Sequence, residues 1–423
     1  MTTSRAPRVL PPTAPVDEEG IPDYDPKHFY PVNPGELFHN RYEMLVKIGW
    51  GRSSTLWLAR DTTRWWWQSN RYVTIKVTVS NLINRDAAKH ELCVARRLET
   101  NPSHNGYPFV RTLFDSFEVV RSDGSMHLCL VYEPMREPLS LFQRRWEDGK
   151  LPPILLKIYL KLILQGLDYL HSECRIIHTD LKSDNILMGF EDLSVLEAFV
   201  RKEAEDPMAR KVIDGRSVFL SHNDFGRLKS FRILPKIADF GLSEYGDVNE
   251  PLRHPIQPPI FHAPEVLLGT CWTYSADIWN LGVLIWELLE NRELFRNVRS
   301  CDGSYDSRAH IAEMIALLGP PPKALLDQGK VWNNVNWGHD IPNHEGALCQ
   351  TPCEYFKGPF FSSEGDFLYQ ELIPKNTTLS DSVFSLKRED KQLFLDFVSH
   401  MLQWLPERRK TAKELLDHPW LAT

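Results

Sequence analysis

Cysteine is scarce in this chain of 423 residues, and the little there is forms no framework. Seven thiols stand at Cys93, Cys129, Cys174, Cys271, Cys301, Cys349 and Cys353, an odd and scattered set. That excludes a small disulfide-stapled scaffold and points to reduced thiols in the cytoplasm or nucleus. Cys349, Cys353 and nearby His344 lack the second ligand pair of a structural zinc site and read as ordinary loop residues. Long apolar runs are also missing. The richest stretch, Ile154 to Leu170, is broken by Lys157, Lys161, Gln165 and Asp168, which fits a buried helix and not a membrane span. The N-terminus has no apolar run of the kind a secretory signal needs. Positive charge is not in excess either. A formal charge of −7 argues against direct nucleic-acid binding while permitting a basic peptide as partner. No internal repeat is found.

What is present describes a globular chain with ample core, 42% apolar and 25% charged. Residues 1–39 carry Pro7, Pro11, Pro12, Pro15, Pro22, Pro26, Pro31 and Pro34, so they build neither helix nor central strand and form an extension draped over the body. From Arg41 the pattern changes. Tyr42 to Ile48, Thr55 to Ala59 and Tyr72 to Val77 read as strands, Asp86 to Leu98 as a helix, and Thr112 to Val120 and His127 to Tyr132 as two more strands. Beyond Glu133-Pro134-Met135 long apolar helices take over, at Pro152 to His171 and Ser275 to Glu290. The division expected is therefore a β-rich lobe over 40–135, with a hinge at its end, and a mainly helical lobe over 136–423. Two segments interrupt the second lobe. Residues 190–232, with a charged run from Arg201 to Asp206, read as a surface excursion, and about 296–387 as a mixed insert.

Three motifs carry chemistry, and their order matters more than any one of them. His178-Thr179-Asp180-Leu181-Lys182-Ser183-Asp184-Asn185 comes first, then Asp239-Phe240-Gly241, then Ala263-Pro264-Glu265. Upstream, Gly49-Trp50-Gly51-Arg52-Ser53-Ser54 lies between two strands, where backbone N–H groups of a flap can approach phosphates without obstruction by Cβ atoms. Ser54 stands in the place of a third glycine. Val73-Thr74-Ile75-Lys76 puts a lysine in an apolar strand, which demands an anionic partner; Glu91 on the following helix and nucleotide phosphates would supply it. Thr74 stands where the usual pattern has alanine.

Together these segments resemble the signature set of protein kinases. The resemblance implies an α+β, bilobal protein-kinase-like fold and phosphoryl transfer from ATP with Mg2+ as cofactor. Asp180 would orient the substrate hydroxyl and accept its proton late, and Lys182 would meet the charge on the migrating phosphoryl group. Asn185 and Asp239 would give magnesium its hard oxygen ligands. Gly49, Gly51, Ser54 and Lys76 would hold the phosphates. Ile48, Leu56 and Leu187 would sandwich adenine, and Glu133 and Met135 would offer hinge backbone bonds. Leu181-Lys182 after the aspartate resembles the serine/threonine version of the loop. Glu265 would pair with Arg409, and Asp277 would hold the catalytic-loop backbone.

The match narrows further. Ile176 to Asp180, Leu164 to His171, Tyr30-Pro31-Val32 and Gly49-Trp50-Gly51 resemble the SR-protein kinase family. His310-Ile311-Ala312 with Leu317-Leu318-Gly319-Pro320 resembles the insert of the broader CMGC group. This likeness spans about residues 28–420 and implies a monomeric enzyme acting on protein substrates, Arg/Ser-rich ones among them. Thr179 takes the place of the arginine that grips an activation-loop phosphate in many kinases; the SR-protein kinases share it and are typically active without that phosphate. Two departures cut against the family's substrate. Pro258 replaces a supporting threonine, and Ala309 and Ala316 fall where a docking groove would present acids to arginines. The rival expectation is a pseudokinase, a nucleotide-binding or scaffolding module without much turnover.

Overall fold

Apolar alternation sets the first long strand. Tyr42, Met44 and Val46 are each at most 1% exposed, while Glu43 and Leu45 between them are partly open. A register shift between Met44 and Val46 then breaks the alternation, so Lys47 is buried directly after Val46. The computed structural model describes residues 6–21, 24–63, 71–80, 82–213 and 215–422, so the Trp65-Trp66-Trp67 run lies outside the described residues.

The chain forms two compact units. The first comprises Met1–Thr100, Val110–Pro138 and Leu187–Gly241. Its frame is a six-stranded antiparallel sheet of β1 (Leu37–Phe38), β2 (Tyr42–Gly51), β3 (Ser54–Asp61), β4 (Arg71–Thr78), β5 (Leu113–Val120) and β6 (Met126–Tyr132), in the order β1-β2-β3-β4-β6-β5. Helix α1 (Leu82–Arg97) follows β4 and packs against β4, β5 and β6. The register runs Gly49 opposite Leu56, Leu56 opposite Lys76, and Lys76 opposite Leu130, so flap, adenine-type aliphatic and lysine lie in one row across the sheet.

Residues 190–232 differ from the surface excursion expected, and they pack with the β-rich unit. The helix Leu193–Glu205 is capped by Asp192, whose side chain accepts from the Ser194 amide, and it turns Val195, Leu196 and Phe199 into the sheet's core. A hairpin of Arg210–Ile213 and Arg216–Phe219 follows. The proline-rich extension completes this layer. Val9 bridges Arg210, and Val16, Phe29 and Val32 are buried. Lys47 explains why the extension stays down: its Nζ reaches Asp17 at 3.0 Å, Glu18 at 2.5 Å and the Phe219 carbonyl at 2.9 Å. A buried ammonium left without such partners costs several kcal/mol.

The second unit comprises Asn101–Phe109, Leu139–Ile186 and Leu242–Thr423. The helix Pro153–Asp168 starts on proline and continues as a wider turn, Tyr169–Cys174, which Arg175 ends in the left-handed region at φ 55°. The helix Ser275–Glu290 is buried almost all round, Trp279 and Trp286 included, as an interior helix must be. Asn291 at φ 51° terminates it. Among the described residues no helix is long and apolar enough to cross a membrane.

Candidate active site

In the β-rich unit, the sequence predicts a lysine that needs an anion, and the fold supplies two. Lys76 Nζ donates to both Glu91 carboxylate oxygens at 2.8 Å and lies 3.5 Å from Asp239 Oδ1, 163 residues away in sequence. Burial works against the ammonium charge, but the Glu91 and Asp239 carboxylates outweigh it and hold Lys76 above lysine's usual range. Glu91 is only 6% exposed, whereas the Asp239 side chain is 56% exposed and open to a further partner such as a cation. Asp239 sits at φ 65°, a left-handed conformation that a non-glycine residue adopts at a cost of about 1–3 kcal/mol, of the kind found at functional sites.

The flap is built without conformational need for its glycines. Neither Gly49 nor Gly51 has a positive φ, and an added Cβ would meet only Leu56 at 3.8 Å or Ser54 Oγ at 3.7 Å. The missing side chains leave room for something outside the chain. Ser54 itself is 3% exposed and opens β3. Ile48, Leu56 and Leu187 are partly exposed, unlike the fully covered Val46, Leu58 and Met188 beside them.

At the end of β6 the hinge groups are more heavily used than the sequence suggests. The Glu133 carbonyl accepts from Arg111 Nη2 at 2.9 Å, and its carboxylate accepts from Lys236 at 2.5 Å. Met135 is 5% exposed. Two residues that sequence reasoning passed over, Tyr132 and Arg111, join this region to the lysine. Tyr132 Oη donates to Glu91 Oε1 at 3.2 Å, and the Arg111 guanidinium lies 4.7 Å from the centre of the Tyr132 ring. Burial pushes the Tyr132 hydroxyl well above its ordinary range, which keeps it a donor. The available signal was an arginine just ahead of an apolar strand. Thr74 Oγ1 is buried with no hydrogen-bond partner among the described residues, an orphan hydroxyl where alanine would leave none.

In the helical unit the catalytic-type loop is held from behind. Asp277, fully buried, accepts from the His178 amide at 2.7 Å, the Thr179 amide at 2.9 Å and His171 Nε2 at 2.9 Å. Those bonds fix Thr179 at φ 65°, and its Oγ1 donates to the Leu242 carbonyl at 2.7 Å. In front, Lys182 Nζ reaches Asp180 Oδ1 at 3.0 Å and Oδ2 at 2.8 Å. Asn185 Nδ2 donates to the Asp180 carbonyl and to its Oδ2, both at 2.8 Å. The amide nitrogen is therefore spent on Asp180, which leaves Asn185 Oδ1 as the oxygen able to meet a cation.

The segment after Gly241 is tied to the same loop. Glu244 and Tyr245 pair with Ile177 and Ile176, and Ser243, fully buried, donates to the His178 carbonyl at 3.3 Å. Glu265 and Arg409 make a forked pair, 2.6 Å at both contacts, with both side chains fully buried. Asp396, His400 and His418 also bring ligand atoms within 4.8 Å of one another. His418 Nδ1 accepts the Trp420 amide, so Nε2 carries the ring proton and faces Asp396 at 3.0 Å; this ring has no lone pair left for a metal.

Comparison with known proteins agrees with this geometry. The family model described as protein kinase domain matches residues 42–421. The chain belongs to the protein kinase family. A serine/threonine protein kinase of Aspergillus fumigatus is 36% identical over 96% of this chain and 91% of its own length. The SRSF protein kinase 3 of Sus scrofa is 34% identical over 96% of this chain and 90% of its own, and the serine/threonine-protein kinase SRPK of Physarum polycephalum is 28% identical over 96% and 92%. This kinase is thus a serine/threonine protein kinase of the SR-protein kinase branch. A solved kinase domain, 23% identical, shares the fold with a TM-score of 0.65, covering 94% of this chain and all of its own.

Proposed function

We propose that this kinase transfers the γ-phosphoryl group of ATP, bound with Mg2+, to Ser or Thr hydroxyls of Arg/Ser-rich proteins, with no phosphate required on its activation segment. The observation that carries the reading is the convergence of Lys76, Glu91 and Asp239. A lysine held charged by a buried glutamate is preset to bind phosphate oxygens, and an exposed aspartate beside it suits a magnesium ion. Asp239 in the β-rich unit, and separately Asn185 Oδ1 in the helical unit, would each offer magnesium an oxygen. Bound magnesium would neutralise charge on the phosphates. Ile48, Leu56 and Leu187 would cover adenine, with Met135 and Glu133 at the hinge. Asp180 would receive the hydroxyl hydrogen bond; Lys182, already paired with it, would share its charge with the transferred group.

Independence from activation-segment phosphate is supported by how that segment is anchored. Thr179 holds the Leu242 carbonyl with a neutral hydrogen bond where an arginine would need a phosphate. Ser243 is sealed and Tyr245 lies in a strand pair. The substrate class rests on the relatives named SRSF protein kinase. Ala309 and Ala316 on the helix Ser307–Leu318 supply no carboxylate, and Glu313 on that helix already accepts from the Arg296 and Asn297 amides. Selection for arginine should therefore be weaker than acidic residues at those places would give. None of the seven cysteines is in a disulfide, which suits a cytoplasmic or nuclear protein. A positional peptide library tests the substrate: enrichment of arginine beside the phosphorylated serine is expected, and a proline-directed or acid-directed profile would remove Arg/Ser-rich proteins from the reading.

A further inference from the structure

The register of the sheet puts a tyrosine hydroxyl behind the Lys76–Glu91 pair. Tyr132 stands opposite Thr74, and Lys76 follows Thr74 by two residues, so Tyr132 and Lys76 share one face of the sheet. The Tyr132 ring belongs to the apolar cluster that seats helix α1, with Leu92 and Ala95 from the helix and Leu113 and Leu130 from the strands. A buried phenol needs a partner, and its Oη finds Glu91 Oε1 at 3.2 Å.

That carboxylate oxygen has two donors of different character. Lys76 Nζ reaches it at 2.8 Å on a flexible stem, and the same ammonium turns toward phosphate oxygens in the proposed reaction. Tyr132 moves on two torsions only, and its ring is packed. Glu91 therefore keeps one fixed donor when the lysine shifts. Arg111 fixes the ring in turn. Its guanidinium lies 4.7 Å from the ring centre, its Nη2 donates to the Glu133 carbonyl at 2.9 Å, and its amide donates at 2.8 Å to the carbonyl of Ile237, just ahead of Asp239. Arg111, Tyr132 and Glu91 are each at most 8% exposed, so water competes little for these contacts.

We propose that Tyr132 is a positioning residue for phosphoryl transfer, holding the Glu91 carboxylate on Lys76, and that Arg111 holds Tyr132 in place. The role rests on Lys76 meeting the nucleotide phosphates as in the proposed function. Helix α1 is then kept with Glu91 on Lys76 from within the β-rich unit, a placement that activation-segment phosphate controls in many kinases.

Steady-state kinetics of the full chain with Mg-ATP and a basic, serine-rich protein test the role. Tyr132→Phe removes the hydroxyl and keeps the ring, so kcat should fall about tenfold, the loss expected for one hydrogen bond to a charged group, while KM for the protein substrate stays unchanged. Arg111→Met should lower kcat in the same direction, and on top of Tyr132→Phe it should add less than about twofold. Urea unfolding without nucleotide checks the contact itself: Tyr132→Phe should lower the folding constant about tenfold in the unmodified chain and less than about threefold in Glu91→Ala. A kcat for Tyr132→Phe within about twofold of the unmodified chain, or equal losses of folding constant with and without Glu91, would overturn the role and leave the proposed function standing. No transfer by the unmodified chain would overturn both. Should Arg111→Met or Glu91→Ala fold poorly, the kinetic comparison of Tyr132→Phe with the unmodified chain decides alone.

Discussion

Acidification should unfold this kinase through histidines sealed in the helical unit. His262 and His310 are 1% and 0% exposed and share the Tyr305 hydroxyl, which lies 3.1 Å from His262 Nδ1 and 2.7 Å from His310 Nδ1. Burial pushes His310 down to about 3 from an ordinary value of 6.5, and burial with the nearby His310 and His344 rings holds His262 well below its usual range. The sign follows from proton counting. Between pH 6.5 and 3 the unfolded chain protonates His310 and the folded chain does not, so stability present above 6.5 is lost as pH falls. At pH 5 the gap of about 1.5 units costs about 2 kcal/mol for His310, at about 1.4 kcal/mol per unit. The comparison to make is urea unfolding of the unmodified protein and His310→Phe at pH 7 and pH 5. The variant loses the Tyr305 bond and is weaker at both, but its loss between the two pH values should be smaller by about 2 kcal/mol. Identical losses would show that His310 is protonated in the folded state, and the reasoning would fail.

Three other outcomes are expected. Lys76→Met leaves Glu91 and Asp239 facing each other without a cation, and phosphoryl transfer should fall at least about hundredfold while the fold, followed by circular dichroism, survives. Glu265→Gln strands the buried Arg409 guanidinium and should cost about 3–5 kcal/mol in denaturant titration; a loss below about 1 kcal/mol would place the pair among weak surface bridges. Phosphatase treatment should leave the rate of substrate phosphorylation unchanged, and a large loss would contradict the proposed anchoring by Thr179.

The parts of the site that sequence made legible are those where one residue type answers one chemical need. A lysine in an apolar strand had to find a carboxylate, and Glu91 meets it. Asp277 and the Glu265–Arg409 pair were expected as backbone and segment anchors, and both make those contacts. The extension and the 190–232 segment were harder. Their stability comes from contacts over long separations, such as Lys47 with Glu18 and with the Phe219 carbonyl, which no periodicity reveals. Val195, Leu196, Phe199 and Val200 did recur at helical spacing, but the charged run from Arg201 to Asp206 beside them obscured the apolar face. Tyr132 and Arg111 stayed hidden because their importance lies in a hydroxyl and a guanidinium turned inward from strand ends.

The most direct measurement is transfer of label from γ-labelled ATP to a basic, serine-rich protein by the purified kinase with magnesium, beside Asp180→Asn. Steady serine phosphorylation by the unmodified chain, reduced at least about hundredfold in the variant, is the result predicted. Equal transfer by both would contradict the assignment of Asp180, and none by either would contradict the kinase reading and favour a pseudokinase.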